Sequence, residues 1–394
     1  MKDKFFKLPE FYFVSYIFLF LFIKPLYRIN TGSSTILLLF LILLVLLCFF
    51  LFCDIKTSYR FLRCFVFLSC FLMIFIVNYI LCKNDIMRQY FENFVLYAVI
   101  PLIFILNVNN YRKVLNYFCA FSCVAGIMLC IEPFVGYAFT SDYMQFGFNM
   151  LFYSFIGLIL LIFSLHKKVF IIPLIAELLL IFLYGNKGAF ITAIVLLLFF
   201  LIFVSKHKLL KFFVFILSIV CIIFWKEILL ELINIGRYLG IDSYSLDTFK
   251  ILISDNYEVV TNSRIDIWKQ AWEWIKDYPI FGSGIGTFEV AEHGYAHIIF
   301  IDITVTFGIV GLVIFFVFLL KSLFVIKRCE NAFQKQFILA LLLFWIVAME
   351  VSLTFWSTIG FWIYLEICFL SQDSKMRRRV KNEKICFSYY CSQN

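Results

Sequence analysis

TNSRIDIWKQAWEWIKDYPIFGSGIGTFEVAEHGYAHIIFIDITVTFGIVG, residues 261–311, is the long polar excursion in a chain otherwise written for lipid. On both sides of it the sequence runs in continuous apolar blocks rich in Leu, Ile, Val and Phe. The 394 residues are 64% hydrophobic, 21% aromatic and only 15% charged, where a soluble domain carries about 25% charged residues. Most of the chain therefore cannot face water. Because the apolar blocks are continuous rather than alternating, closed β-barrels are excluded. The expected fold class is all-α, a polytopic membrane helix bundle.

At roughly 17–25 apolar residues per crossing, the blocks predict about twelve spans. They lie near residues 10–27, 34–53, 61–81, 93–108, 114–135, 149–165, 169–185, 188–204, 209–225, 298–320, 337–355 and 357–370. The chain divides accordingly into membrane spans over 1–225, one large extracytoplasmic loop with short amphipathic helices over 226–297, further spans over 298–370, and a basic cytoplasmic tail over 371–394. The opening MKDKFFKLPEFYFVSYIFLFLFIKP has a basic front and an apolar core but no small-residue cleavage site, so the first span is expected to stay. The 13 Cys sit mostly inside apolar runs and form no CxxC pair. Neither a disulfide framework nor a thiolate zinc site is expected from them.

Lys and Arg concentrate in alternate short loops: Lys2, Lys4 and Lys7; Lys56, Arg60 and Arg63; Arg112 and Lys113; Lys167 and Lys168; Lys206, Lys208 and Lys211; Lys321, Lys327, Arg328 and Lys335; and the tail. Cytoplasmic loops collect basic residues, so both termini are expected in the cytoplasm. The 226–297 loop, in which acidic residues outnumber basic ones, is then outside, together with the tight hairpin 184–189 that carries Lys187. The net charge of +9 meets anionic lipid on the inner face, and nucleic acid is excluded as a partner.

Within the excursion, Ser263-x-x-Asp266 predicts a helix start of capping-box type. Ile265, Trp268, Trp272 and Ile275 then share one face, suited to the membrane interface or to the span ends, until Asp277-Tyr278-Pro279 stops the helix. Arg264 would occupy the first helical position, where the helix dipole disfavours a cation unless an anion docks there. The alternative is a plain surface arginine. Gly282-Ser283-Gly284-Ile285-Gly286 is neither a Walker loop nor a dinucleotide fingerprint and reads as a turn. His293 and His297 are four apart, but no HExxH pattern accompanies them and Gly294 intervenes, so no metal site is expected. His297 at the mouth of a span is a candidate general base. Asp302, inside that span, is its nearest intramembrane carboxylate. Glu177, Glu350 and Glu366 also lie in apolar spans, and nothing in the sequence assigns them a role.

These pieces, in this order, resemble the O-antigen ligase and polymerase superfamily of bacterial surface-polysaccharide synthesis. Gly185-Asn186-Lys187-Gly188-Ala189 is similar to the family's short Ser/Thr-Arg-Gly-Ala hairpin. Arg264-Ile265-Asp266-Ile267-Trp268 with Ala271, Pro279 and Gly282-Ser283-Gly284-Ile285-Gly286 resembles its R…W…A…P…G.G.G block. Ala296-His297 before Phe307-Gly308-Ile309-Val310-Gly311 resembles its HN…L…G..G block. Three positions depart from the pattern. Lys187 stands in place of Arg and lacks the planar fork, Ile298 stands in place of Asn, and Thr306 stands where an acidic residue is common.

The resemblance implies a cofactor-free, metal-independent membrane glycosyltransferase on the outer face of the bacterial cytoplasmic (inner) membrane. Its donor would be a glycan on undecaprenyl diphosphate, with Arg264 and Lys187 binding the diphosphate and Arg264 and His297 catalytic; Asp302, by its nearness to His297 in the sequence, is the candidate supporting residue. The first expectation is a polymerase that joins lipid-linked repeat units. A ligase that moves the glycan onto lipid A-core or another acceptor uses the same donor chemistry. A flippase is the expectation from another class, and its usual sign, repeated halves with midplane polar residues, is not evident. Partners expected are the lipid-linked donor, a glycan or lipid A-core acceptor, membrane lipid, and a chain-length regulator or flippase.

Overall fold

The computed structural model describes residues 8–370 except 30–33, 53–58, 136–141, 206–207, 239, 242, 254–257 and 293. Lys2, Lys4, Lys7, Lys56, Lys206, His293 and the 371–394 tail lie outside the described residues.

Among the described residues every regular element is helical. The apolar blocks form α1 (Pro9–Ile29), α2 (Ser34–Phe52), α3 (Tyr59–Leu81), α4 (Asp85–Phe94), α5 (Ile100–Ile105) and α6 (Tyr111–Ile131). They continue as α7 (Tyr143–Met150), α8 (Ile156–Phe163), α9 (Ile171–Tyr184), α10 (Lys187–Phe199) and α11 (Lys208–Ile223). The polar segment folds as α12 (Trp225–Tyr238), α13 (Tyr244–Ile253), α14 (Glu258–Asp277) and α15 (Thr287–Glu292). Then come α16 (Ile299–Arg328), α17 (Ala332–Val351) and α18 (Ile359–Leu370). π-turns at Val95–Val99 and Leu151–Phe155 join α4 to α5 and α7 to α8, and Phe200–Val204 prolongs α10.

Each expected span falls on helical chain, and six of them lie on stretches that are long and apolar enough to cross a membrane. Among the described residues these stretches are Cys64–Leu81, Tyr111–Phe134, Tyr143–Phe163, Lys187–Val204, Ile299–Arg328 and Ala332–Val351. Pro9–Phe22, Leu41–Leu51 and Ile359–Leu370 are shorter apolar helices. Local turn chemistry shortens some blocks. α9, for example, ends after 14 residues at Gly185. The chain is a multi-pass membrane protein by these helices.

Helix starts follow the short polar residues between blocks. Asn84, Asn110, Asp142, Asn186 and Asn331 each accept a hydrogen bond from the backbone N–H three residues on, satisfying a donor that the helix itself leaves open. Between the helices the filling is aromatic. Trp345, Trp356, Trp362, Tyr16 and Tyr364 are fully buried. Edge-to-face pairs such as Phe18–Phe118 at 5.3 Å, between α1 and α6, and Trp345–Phe361 at 5.1 Å, between α17 and α18, hold the helices together. The 54 Phe of the sequence therefore serve the interior as well as the lipid face.

The polar segment is not a loose loop. Phe182 of α9 packs with Ile233 of α12 and with Leu246 and Phe249 of α13 in one small core. Ala271 of α14, Phe288 of α15, Ala296 before α16 and Val305 within it form another.

The glycine turn 282–286 has a specific structural role. α16 is broken at Gly308, whose φ of 65° and ψ of −166° are not helical. A break in a membrane helix exposes backbone donors and acceptors that lipid cannot satisfy. Here the turn satisfies them: Ser283 N–H donates to Val305 O at 2.8 Å and Gly284 N–H to Thr306 O at 3.1 Å. In return Ile309 N–H donates to Pro279 O at 2.9 Å and Val310 N–H to Ile280 O at 3.2 Å. The contact is so close that a Cβ on Gly282 would lie 2.4 Å from the Thr306 carbonyl carbon. The turn expected to reverse the chain also repairs a helix.

Candidate functional site

The site gathers at the C-terminal end of α17. The first contribution is the hairpin between α9 and α10. The Asn186 side chain accepts from Ala189 N–H at 2.6 Å and donates to Met144 O at 3.0 Å. Lys187 thereby becomes the first residue of α10. The hairpin is held from below because the last carbonyls of α9 accept side-chain hydroxyls, Phe182 O from Ser245 at 2.9 Å and Leu183 O from Ser243 at 2.5 Å. It lies against α17: a Cβ on Gly188 would come within 2.9 Å of Val351 Cγ2.

Arg264 corrects the sequence reading. α14 begins at Glu258, not at Ser263, so Arg264 is an interior residue of a longer helix and cannot bind an anion through that helix's N-terminus. The side chain of Ser263 lies outside the described part. A further turn before Ser263 is helical, and that removes the need for a cap there. The Arg264 guanidinium instead reaches across to α17, where Nη1 donates to Val351 O at 3.0 Å. It thus sits at the negative end of one helix rather than the positive end of its own, a favourable place for a cation. The electrostatic anomaly assigned to Arg264 belongs to Lys187, a cation at the positive start of α10.

His297 is the third contribution. Its φ of 59° is left-handed, which L side chains rarely adopt. Nδ1 lies 3.4 Å from Ser352 O, and a carbonyl only accepts, so Nδ1 carries the proton and Nε2 keeps its lone pair. The Tyr295 hydroxyl donates to the same carbonyl. The Tyr295 and His297 rings lie 4.1 Å apart. Burial, and secondarily the nearby Arg264, hold the imidazole below its usual range, so it is neutral near pH 7. Burial raises the Tyr295 phenol to about 12.

Arg264 acts electrostatically on Lys187, Tyr143, Tyr295 and His297 alike. The hairpin, α14 and the mouth of α16 therefore converge on Val351–Ser352. Neither Lys187 nor Arg264 is in an ion pair among the described residues. Two half-buried cations within mutual electrostatic range suit an anion with several charges.

Asp302 is buried on the first turn of α16. Its Oδ1 accepts from Ala296 N–H at 2.8 Å, while Oδ2 has no partner among the described residues. Glu350, one residue before Val351, and Glu289 lie within electrostatic range of Asp302. Glu177 and Glu366 belong to the bundle. Glu177 accepts from the Ser154 hydroxyl, and Glu366 is fully buried.

The tryptophan face is also redistributed. The inward face of α14 is Ile267, Ala271, Trp274 and Ile275. Ile265 and Trp272 of the expected face point outward, Trp272 with 60% of its surface exposed. Trp268 lies on the boundary, its indole N–H donating to Ala296 O at 2.8 Å. Trp274 donates to Glu292 at 3.0 Å. Ile265, Trp268, Trp272 and Ile301 line an open groove of about 420 Å³ along this edge.

The sequence reading missed Tyr295, the Val351 and Ser352 carbonyls and the Asn186 cap. Asn186 before Lys187-Gly188-Ala189 was detectable as an N-cap residue ahead of an apolar block. Backbone carbonyls at a distant helix end leave no signal in sequence.

No curated protein matches the chain. One family model, described as O-Antigen ligase, matches residues 170–316, a stretch that includes Lys187, Arg264, His297, Asp302 and the broken start of α16. Over residues 170–316 the chain is thus similar to the O-antigen ligase family, whose members are membrane glycosyltransferase-like enzymes.

Proposed function

We propose that this chain is a surface-polysaccharide polymerase that joins oligosaccharide repeat units carried on undecaprenyl diphosphate. The observation that carries the proposal is the meeting of Lys187, Arg264 and His297 at the Val351–Ser352 end of α17. The alternation of Lys and Arg between loops supports a site on the outer face of the bacterial cytoplasmic membrane, with both termini inside.

The chemistry balances without a cofactor. An acceptor sugar hydroxyl attacks the anomeric carbon of the donor glycan, and the bond from that carbon to the diphosphate oxygen breaks. Neutral His297 takes the hydroxyl proton at Nε2, and undecaprenyl diphosphate leaves with the bonding pair. Lys187, Arg264 and the positive start of α10 face the charge that grows on the departing diphosphate. Diphosphate is already a good leaving group, so electrostatic stabilisation is the protein's main contribution. Loss of one such contact typically costs about 10²–10³ in rate.

A second reading is favoured by one observation, the ligase description of the matched family. A ligase would transfer the finished glycan to lipid A-core or another acceptor with the same donor groups. A deletion strain separates the two. Single repeats attached to the final acceptor, with long chains missing, support the polymerase; long chains accumulating on the undecaprenyl carrier support the ligase. In either case a Lys187→Ala, Arg264→Ala double variant that still makes near-normal polysaccharide refutes the site.

A further inference from the structure

We propose that Trp268 and Asp302 are positioning residues that grip the backbone of Ala296 from both sides and so hold His297 in its reactive orientation. The proposal rests on His297 as the base. Ala296 is completely buried. Its N–H donates to Asp302 Oδ1 at 2.8 Å, and its carbonyl accepts from Trp268 Nε1 at 2.8 Å. The two grips come from different elements, the first turn of α16 and the middle of α14. Together they fix both peptide planes that meet at Ala296.

The second of those planes is the one His297 is attached to. The left-handed φ of 59° at His297 is a rotation about the next bond, measured from that plane. An L residue leaves this conformation when its surroundings allow, and it persists only where the neighbouring structure over-determines it. On the far side of that strained residue the ring is met by Ser352 O. Trp268 and Asp302 therefore act on the imidazole through the backbone and Ser352 acts on it through Nδ1, which leaves Nε2 as the atom directed to the reaction. The bland alternative is an indole and a carboxylate that happen to find buried partners. It predicts that their loss has nothing to do with His297.

The two accounts separate by epistasis. Initial rates are measured for the purified full chain in detergent, using lipid-linked glycan extracted from a strain that lacks it. Trp268→Phe keeps a ring but cannot donate. It is expected to lower kcat about tenfold to a hundredfold with KM within about twofold, the size of effect a misplaced catalytic group produces. In a His297→Ala background the same change is expected to cost less than about twofold, because the group it positions is gone. Asp302→Asn, whose amide oxygen can still accept from Ala296, is expected to retain more activity than Asp302→Ala. Equal losses in both backgrounds, or full kcat for Trp268→Phe, overturn the proposal. Amide hydrogen exchange over residues 294–298 supplies a readout free of activity: Trp268→Phe is expected to accelerate it there and leave the bundle unchanged, and unaltered exchange refutes the grip. Full kcat in His297→Ala refutes the base itself, an outcome distinct from failure of the grip.

Discussion

Replacing Gly308 by alanine puts a methyl group where the polypeptide has folded back on itself. Two costs arise, and they can be separated. The first is backbone strain, since φ at Gly308 is 65°, at about 1–2 kcal/mol for an L residue. The second is steric: the new Cβ would lie 2.2 Å from Ile280 O and 2.6 Å from Gly282 N, atoms of backbone that cannot swing away as a side chain can. Reaching ordinary contact requires the turn and the broken helix to part by about 1 Å. That separation stretches the bonds from Ile309 N–H to Pro279 O and from Val310 N–H to Ile280 O, now 2.9 and 3.2 Å, past useful length. Two buried backbone groups left without partners cost about 1–3 kcal/mol each. The total expected is about 3–8 kcal/mol.

Gly240→Ala is the control, since φ there is 73° but nothing lies within 4 Å of the added Cβ. It carries the strain without the clash. Thermal and denaturant unfolding of the detergent-solubilised variants, with polysaccharide formation in parallel, measures both. A Gly308→Ala protein no less stable than Gly240→Ala would refute the idea that the glycine turn repairs the break in α16.

Arg264→Ala is expected to lower turnover of the lipid-linked donor about 10²–10³-fold, with Arg264→Lys recovering part of it, because charge survives while the planar fork does not; equal activity of the two variants in an elongation assay would show that charge contributes nothing. The acid limb of the rate profile is expected below the ordinary imidazole value of 6.5, since burial and Arg264 both disfavour the charged ring. Activity is then present above that lowered pKa and lost as pH falls through it. A His297→Gln protein with the same acid limb would assign the limb elsewhere. Asn186→Ala removes the cap of α10 and the tie to Met144 O, so a loss of about 1–2 kcal/mol is expected in unfolding measurements, together with weaker donor binding as Lys187 loses its anchor.

Much of the fold was legible because the physics that decides it is local. Blocks such as residues 143–163 and 332–351 exclude water-facing structure by composition alone, and they are helices of crossing length. Pro279 stops α14 as expected, after Asp277. Where each helix begins was less legible. Ser263-x-x-Asp266 has the form of a cap, yet α14 starts at Glu258, because a cap pattern offers a start without forbidding an earlier one. The expected face of α14 failed for a related reason. Ile265 and Trp272 are as apolar as Ile267 and Trp274, and only the position of α15 and α16 chooses which side is covered.

The sequence by itself determined the solvent of this protein, the helical class, and the polar residues available for chemistry: Lys187, Arg264, His297 and Asp302. These follow from side-chain transfer energies and short-range geometry, which each residue carries wherever it is placed. Only the tertiary structure decided what those residues do to one another. It moved Arg264 from the start of its own helix to the end of α17, and it gave Lys187 the positive helix start instead. It gave the Trp268 indole N–H the carbonyl of Ala296, the residue before His297, as its acceptor. Those outcomes depend on backbone carbonyls at Val351, Ser352 and Ala296, and every residue has such a carbonyl, so no sequence can mark the ones that matter until the chain has brought them to the site.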